Sequence, residues 1–388
     1  MDMMRPDTVI GRGLAERAIM LASVERARAP IAAEQVTLDL TDGTHDVTAL
    51  HIRDAAKDAL DRGETHYTSG PGILKLRSAI AERSTAEGFP ASADAIVVTN
   101  GGSEAIYIAL QSVLRPGDRV LIAGPIAPNV VRMIEFVGAV PVHLTVRASN
   151  RFLPEVAQIE ASEPAPRALL LGSPSPVTGV ALSDDRLRDI IAAADDRGIT
   201  TILDRSLAWC AYNASDVTFS DPDLAARVLT VGSFSHAYAM SGWRVGYFTA
   251  PIQLIDEMRE LKLAMSICTS SISQFAALAA LEGPEEWLAA RRAEFSQRRD
   301  LALQLLDNAG IGAFAPDAWP ALLLDTRLIH PDDHQAAAMI ARDTGVLVEP
   351  ASRYGPTTTG YTRITLAAGE DALRRGLEQI AAFHNACG

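Results

Sequence analysis

Lysine is almost absent from this chain. Of 388 residues only Lys57, Lys75 and Lys262 carry an amine side chain, and arginine supplies the rest of the basic charge. A genome rich in arginine codons accounts for the shortage, but few amines are left for chemistry that needs one. Cysteine is as scarce. Cys210, Cys268 and Cys387 are far apart, odd in number and form no C-x-x-C pair. That excludes a disulfide framework and a cysteine-held zinc site. No run reaches the roughly 18 apolar residues of a membrane span. The start, Met1-Asp2-Met3-Met4-Arg5-Pro6, leads into a charged amphipathic stretch and not into an apolar signal region. No Lys/Arg-rich run exists, and the net charge is −13 with a pI near 5.1, which argues against nucleic acid as a partner. The acidic balance favours solubility. The expectation is a cytoplasmic protein with a small-molecule substrate, and without a metal, nucleic-acid or membrane partner.

What is present is ordinary globular material: 48% hydrophobic and 21% charged residues, enough for two domains with a large core. Apolar spacing predicts a helix over 11–29. A short strand over 36–40 runs into the turn Thr41-Asp42-Gly43-Thr44. Helices follow over 47–62 and 73–87, separated by the loop His66 to Gly72. Strands over 95–99, 119–123, 168–171, 200–203 and 228–232 then alternate with helices over 103–113, 130–136 and 183–196. Such alternation predicts a mostly parallel sheet covered on both faces, with right-handed crossovers. Helix is expected from 252 to about 308. A last β/α stretch follows, with strands over 322–325, 346–349 and 363–366 and helices over 334–344 and 370–385.

Several short segments carry candidate chemistry. Thr99-Asn100-Gly101-Gly102-Ser103 lies between a strand and a helix. Glycines admit close backbone approach, and a helix N-terminus offers free N–H groups, so the turn suits a phosphate. Ser103 could equally be an N-cap. Ser233 and Arg244 offer a hydroxyl and a guanidinium, good phosphate donors. Asp204 ends a strand at the edge where open α/β sheets bind ligands; it could instead cap a turn or pair with Arg205. Arg363 has a planar fork suited to a carboxylate. Gly43 is a candidate substrate contact in its turn. His236 carries an imidazole, whose unperturbed pKa of about 6.5 suits acid/base work near neutrality.

The string Ser233-Phe234-Ser235-His236-Ala237-Tyr238-Ala239-Met240-Ser241-Gly242-Trp243-Arg244-Val245-Gly246-Tyr247 resembles the cofactor segment of the class I/II aminotransferases, the fold-type I enzymes that use pyridoxal phosphate (PLP). The resemblance runs from about Thr37 to Gly388. It implies an α/β fold of the fold-type I aminotransferase kind: a large, mainly parallel sheet domain (51–285), a smaller α/β terminal domain (286–388), and an arm (1–50) that contributes to the small domain. It implies a homodimer with the site at the subunit interface. It makes Gly101, Gly102, Ser103, Ser233 and Arg244 a phosphate cup, with Tyr67 reaching the partner subunit's phosphate. Asp204 becomes the partner of the pyridine nitrogen, and Arg363 the binder of the substrate α-carboxylate.

The same resemblance exposes departures. His236 stands where the family has its Schiff-base lysine, and imidazole forms no stable imine. Pro176, in Ser173-Pro174-Ser175-Pro176-Val177-Thr178-Gly179, replaces an asparagine that bonds the ring hydroxyl. Leu207, in Asp204-Arg205-Ser206-Leu207, replaces the tyrosine that does the same. Ala127 replaces the stacking aromatic. Each lost contact is worth about 1 kcal/mol. Certain sugar dehydratases of this fold carry histidine at the lysine position and hold the aminated cofactor (PMP) without a covalent bond. The expectation is an atypical enzyme acting on an amino acid or related carboxylic acid, with PLP or PMP bound non-covalently or not at all. In it, His236 would be the acid/base for elimination, isomerisation or cyclisation, with Asp204 beside it. Two alternatives stand: a non-catalytic pseudoenzyme or partner subunit of an active homologue, and a PLP-dependent aminotransferase using Lys262 or Lys75.

Overall fold

The computed structural model describes residues 37–41 and 47–387. The expected helix over 11–29 and the Gly43 turn lie outside the described residues. Among the described residues the thirteen strands are β1 (Leu38–Asp39), β2 (Ile96–Thr99), β3 (Arg119–Ile122), β4 (Val140–His143), β5 (Ala168–Gly172), β6 (Thr200–Asp204), β7 (Leu229–Ser233), β8 (Gly246–Thr249), β9 (Ala313–Phe314), β10 (Ala321–Asp325), β11 (Val346–Leu347), β12 (Glu349–Pro350) and β13 (Tyr361–Thr365).

Seven of them form one sheet in the order β2-β8-β7-β6-β5-β3-β4. All pairings are parallel except those of β8, which runs against both neighbours. Two reversals cancel, so β2 points the same way as β7. The carboxyl ends of β2, β5, β6 and β7 therefore share one edge. The strand β8, Gly246-Tyr247-Phe248-Thr249, belongs to none of the expected elements, because its alternation is buried inside the cofactor-like string. Edge strand β4 was likewise unexpected: Pro141 within it is tolerated because an edge strand has a free side.

The middle of the sheet reads as an unbroken apolar run because both faces are covered. In β5, Leu169 and Leu171 join one core while Ala168 and Leu170 join the other, the two-residue period of a strand. Helix Gly102–Val113 seals the second face with Ala105, Ile108, Ala109 and Leu110. A second sheet, β12-β13-β10-β9, is antiparallel, and β1 pairs with β11. The N-terminal strand is thus tied to the C-terminal part of the chain. The expected strand over 346–349 is split, because Val348 leaves the pairing with β1 and Glu349 begins a pairing with β13. Among the described residues no helix is long and apolar enough to cross a membrane. Nor does any group of three His, Cys, Asp or Glu side chains there suit a metal ion.

Candidate active site

The turn from β2 into helix Gly102–Val113 closes on Arg244. Gly101 has φ +85° and is the helix N-cap. A Cβ there would lie 2.3 Å from Arg244 Nη2, and one on Gly246 would lie 2.5 Å from the Gly102 nitrogen. Glycine is required at both places by space, and at Gly101 also by conformation. Arg244 donates through Nη2 to the Asn100 carbonyl (3.3 Å) and through Nη1 to the Ser241 carbonyl (2.9 Å). Ser233, at the end of β7, faces the same point: a Cβ on Gly102 would be 3.5 Å from its Cβ. Ser103 does not cap the helix, contrary to the simpler expectation; it lies exposed in the first turn. The first N–H groups of a helix have no partner within it. Gly101, Gly102, Ser103, Ser233 and Arg244 thus converge on one helix N-terminus with a cation beside it.

A buried ionic network lies behind this cup. Glu104 accepts from the Asn100 N–H (2.6 Å), from Ser266 Oγ (2.7 Å) and from Lys262 Nζ (3.0 Å). Lys262 is 0% exposed and also meets Ser266. Burial pushes the Glu104 carboxyl up, but the Asn100 N–H, Ser266 and Lys262 together outweigh it and hold the group below the usual range. Sequence reading did not find Glu104. Its signal was an acidic residue in the first turn of an otherwise apolar helix.

His236 sits three residues past β7 and is half-buried. Its loop is pinned by Thr48, whose hydroxyl donates to the Ala239 carbonyl (2.6 Å) and accepts from Trp243 Nε1 (3.1 Å). Ala239 (φ +51°) and Arg244 (φ +55°) are left-handed. Such strain, of about 1–3 kcal/mol per residue, clusters at functional sites.

Asp204 ends β6. Its Oδ1 accepts from the Ser206 N–H (2.8 Å), so it does brace the next turn. It does not pair with Arg205, which bonds Glu87 (2.9 Å) and lies over the Phe89 ring. Burial raises the Asp204 carboxyl, and the Ser206 contacts only partly offset that. The space against Asp204, bounded by Gly124, Pro125, Ile126, Gly172 and Pro176, is about 20 Å³, room for about one water. Pro176 lies on Gly172: a Cβ there would meet its Cδ at 2.7 Å. Leu207 is buried in an apolar core with Trp209, Phe234, Tyr238 and Tyr247. Ala127 begins the helix Pro128–Phe136, and the preceding Ile126 N–H bonds the Tyr354 carbonyl (2.8 Å).

Arg363 reaches from β13 toward the large sheet, where its Nε donates to the Val177 carbonyl (3.3 Å). Its Nη1 donates to Glu349 Oε2 (2.9 Å). The sequence allowed a carboxylate-binding arginine or an exposed strand arginine; it is not exposed, and β12 places Glu349 opposite it. Tyr67 is 81% exposed.

Comparison with known proteins places the chain in a family. The profile of the family "Aminotransferase class I and II" matches residues 38–380. A probable aspartate/prephenate aminotransferase of Thermus aquaticus is 31% identical over 349 residues, covering 88% of this chain and 90% of the relative. An aspartate aminotransferase of Rhizobium meliloti (strain 1021) is 33% identical over 363 residues, covering 86% and 85%. Among solved structures, aspartate aminotransferase from Thermus thermophilus with maleate superposes with a TM-score of 0.86 at 30% identity, covering 93% of this chain and 95% of that one. The chain belongs to the class I and II aminotransferase family.

Proposed function

We propose that this chain is an enzyme of specialised metabolism acting on an amino acid or related carboxylic acid without an internal PLP aldimine. His236 stands at the Schiff-base position and moves a proton in elimination, isomerisation or cyclisation. The observation that carries this reading is the fate of the three lysines. Lys57 pairs with Asp54 on the surface, Lys75 lines a groove with Leu74 and Glu82, and Lys262 is buried against Glu104.

The residues present fit part of the family's cofactor. Gly101, Gly102, Ser103, Ser233 and Arg244 fit its phosphate, which a helix N-terminus and a guanidinium both attract. Asp204 fits a protonated nitrogen, since its buried carboxyl gains most from a cationic donor. Pro176, Leu207 and Ala127 offer the ring neither hydrogen bonds nor stacking. The set therefore suits PLP or PMP held without a covalent bond; bound so, the ring supplies an electron sink. The other roles belong to the chain: Arg363 orients the carboxylate, the cup anchors the phosphate, and His236 takes or gives the proton at the substrate carbon. Tyr67, being exposed, suits contact with a partner subunit's phosphate in a homodimer. Gly43 remains a proposed substrate contact. The division into residues 1–50, 51–285 and 286–388 is supported by the pairing of β1 with β11.

The test is equilibrium binding of PLP and PMP to protein purified free of both, beside Arg244→Ala and His236→Ala. The expected result is PMP binding that weakens about 10- to 100-fold in Arg244→Ala, the loss of a charge-assisted contact of roughly 1.5–3 kcal/mol. In His236→Ala, binding persists and turnover of the carboxylate substrate is lost. Unchanged PMP binding in Arg244→Ala would sink the cup. Turnover that survives His236→Ala beside a co-purifying second subunit would favour a partner subunit, and no turnover even in the wild type would favour a pseudoenzyme. A second reading, PLP-dependent aminotransferase, is favoured by the relatives' names. It needs Lys262 to leave Glu104. Borohydride reduction with PLP followed by peptide mapping decides it: a labelled Lys262 supports that reading and no labelled lysine rejects it.

A further inference from the structure

The geometry points to Glu349 as a resident carboxylate on the Arg363 fork, a specificity-determining residue that an incoming substrate carboxylate must displace. This rests on the reading above that Arg363 binds the substrate carboxylate.

Glu349 and Arg363 are direct partners across antiparallel β12 and β13, where opposed side chains share a face. Both are largely covered, with side-chain exposures of 16% and 14%. Glu349 Oε2 accepts from Arg363 Nη1 at 2.9 Å and from the Tyr354 hydroxyl at 2.6 Å. Its Oε1 accepts from Arg353 Nη1 at 2.9 Å. The Tyr354 ring also lies 5.3 Å from the Arg363 guanidinium and 5.6 Å from that of Arg353. With Nε given to Val177 and Nη1 to Glu349, two of the three Arg363 nitrogens already donate. A bidentate carboxylate needs two parallel N–H groups. Of the five N–H groups of Arg363, three stay free among the described residues, one on Nη1 and two on Nη2, so an incoming carboxylate would share Nη1 with Glu349 and set two negative charges against that nitrogen. The fork is fully open only when Glu349 withdraws.

The cluster is built to allow that withdrawal. Two guanidinium groups face one carboxylate, leaving one positive charge uncompensated. Arg353 and the Tyr354 hydroxyl can keep Glu349 satisfied while Arg363 turns to a ligand. The final arrangement, two arginines with two carboxylates, is neutral. A tethered internal carboxylate competes at the high effective concentration of an intramolecular group. It thus lowers the apparent affinity for every simple carboxylate by the fraction of time the fork is engaged. Ligands that bring a second anchor, such as the phosphate cup provides, overcome it; monodentate acids do not. Glu349 thereby selects against abundant small carboxylic acids.

The experiment measures binding of maleate and of L-aspartate to the full chain by calorimetry. Glu349→Gln keeps the shape but surrenders the charge, and its Kd for both probes should fall at least tenfold. Arg353→Met removes the alternative holder, throws Glu349 wholly onto Arg363, and should raise Kd several-fold. The two variants shift affinity in opposite directions, which a general loosening of the fold does not do. Glu349→Asp, too short to reach the fork, should act like Glu349→Gln and serves if the glutamine variant fails to fold. Arg363→Ala separates the two ideas. Equal Kd in wild type and Glu349→Gln, with binding lost in Arg363→Ala, overturns the resident-carboxylate role and leaves the carboxylate reading of Arg363 intact. Absence of binding in every variant overturns both.

Discussion

The two ends of the candidate site are built differently. At the cup, backbone, hydroxyl and guanidinium converge on one point, and a buried ion pair supports the turn from behind. At the other end the chain's groups are satisfied among themselves: Pro176 lies on Gly172, Leu207 joins an aromatic core, and Glu349 holds Arg363. The carboxylates show the same contrast. Glu104, behind the cup, is held below its ordinary range by its donors, whereas Asp204 is raised by burial. An anion site needs only donors and charge, so it survives changes elsewhere. A ring site depends on several specific partners, and each can be replaced by apolar packing at little cost to the fold.

The contrast breaks most sharply at Lys262. Removing one partner of a buried ion pair costs about 3–5 kcal/mol, so Lys262→Met should lower the urea midpoint strongly. The double variant Lys262→Met/Glu104→Gln should recover much of that loss. If the single variant is as stable as wild type, the pair does not support the cup.

A smaller effect sharpens the contrast at the ring end. Pro176→Asn with Ala127→Tyr would restore one hydrogen-bond donor and one stacking partner, each worth about 1 kcal/mol. Affinity for PMP should rise roughly fivefold per substitution, with affinity for inorganic phosphate unchanged. A gain for phosphate alone would mean that the two ends are not independent.

The contrast also has a pH signature, read from the direction of change. Because the folded-state value of Glu104 lies below its ordinary 4.5, its stabilisation is present above that pH and is lost as pH falls through the folded value. Glu104→Gln should therefore cost stability at neutral pH and little in acid. Asp204 is the reverse. Raised above 3.8, it leaves the folded state unpenalised below that pH and penalises it increasingly from there up to its folded value, beyond which the penalty is constant. Asp204→Asn should be the more stable protein at neutral pH, with the advantage gone below about pH 3.8. Thermal denaturation of both variants across that range checks the signs. Parallel pH dependence would refute the contrast.

Much of this was legible in the sequence. Alternating apolar runs announced the parallel sheet, because strands covered on both faces need continuous apolar sequence. The glycine turn, Ser233 and Arg244 were readable as a cup because their spacing in the family string is local. Ala127, Pro176, Leu207 and His236 drew notice for the same reason, as the residues where the resemblance to the family string fails. Strand β8 and the pairing of β1 with β11 were not, since each depends on a partner distant in the chain. Glu349, and the pairing of Lys262 with Glu104, were missed for that reason too. Glu349 matters only because antiparallel pairing sets it opposite Arg363, and Lys262 only because its helix brings it to Glu104, 158 residues away.

The sequence by itself therefore determined the family, the glycine turn at a helix N-terminus and the absence of an amine at position 236, all of which are properties of residue type and short spacing. Only the tertiary structure decided which charges meet. It committed Lys262 to Glu104 and set Glu349 on the fork of Arg363, because ion pairs form between groups that folding brings within a few ångströms, whatever their separation along the chain.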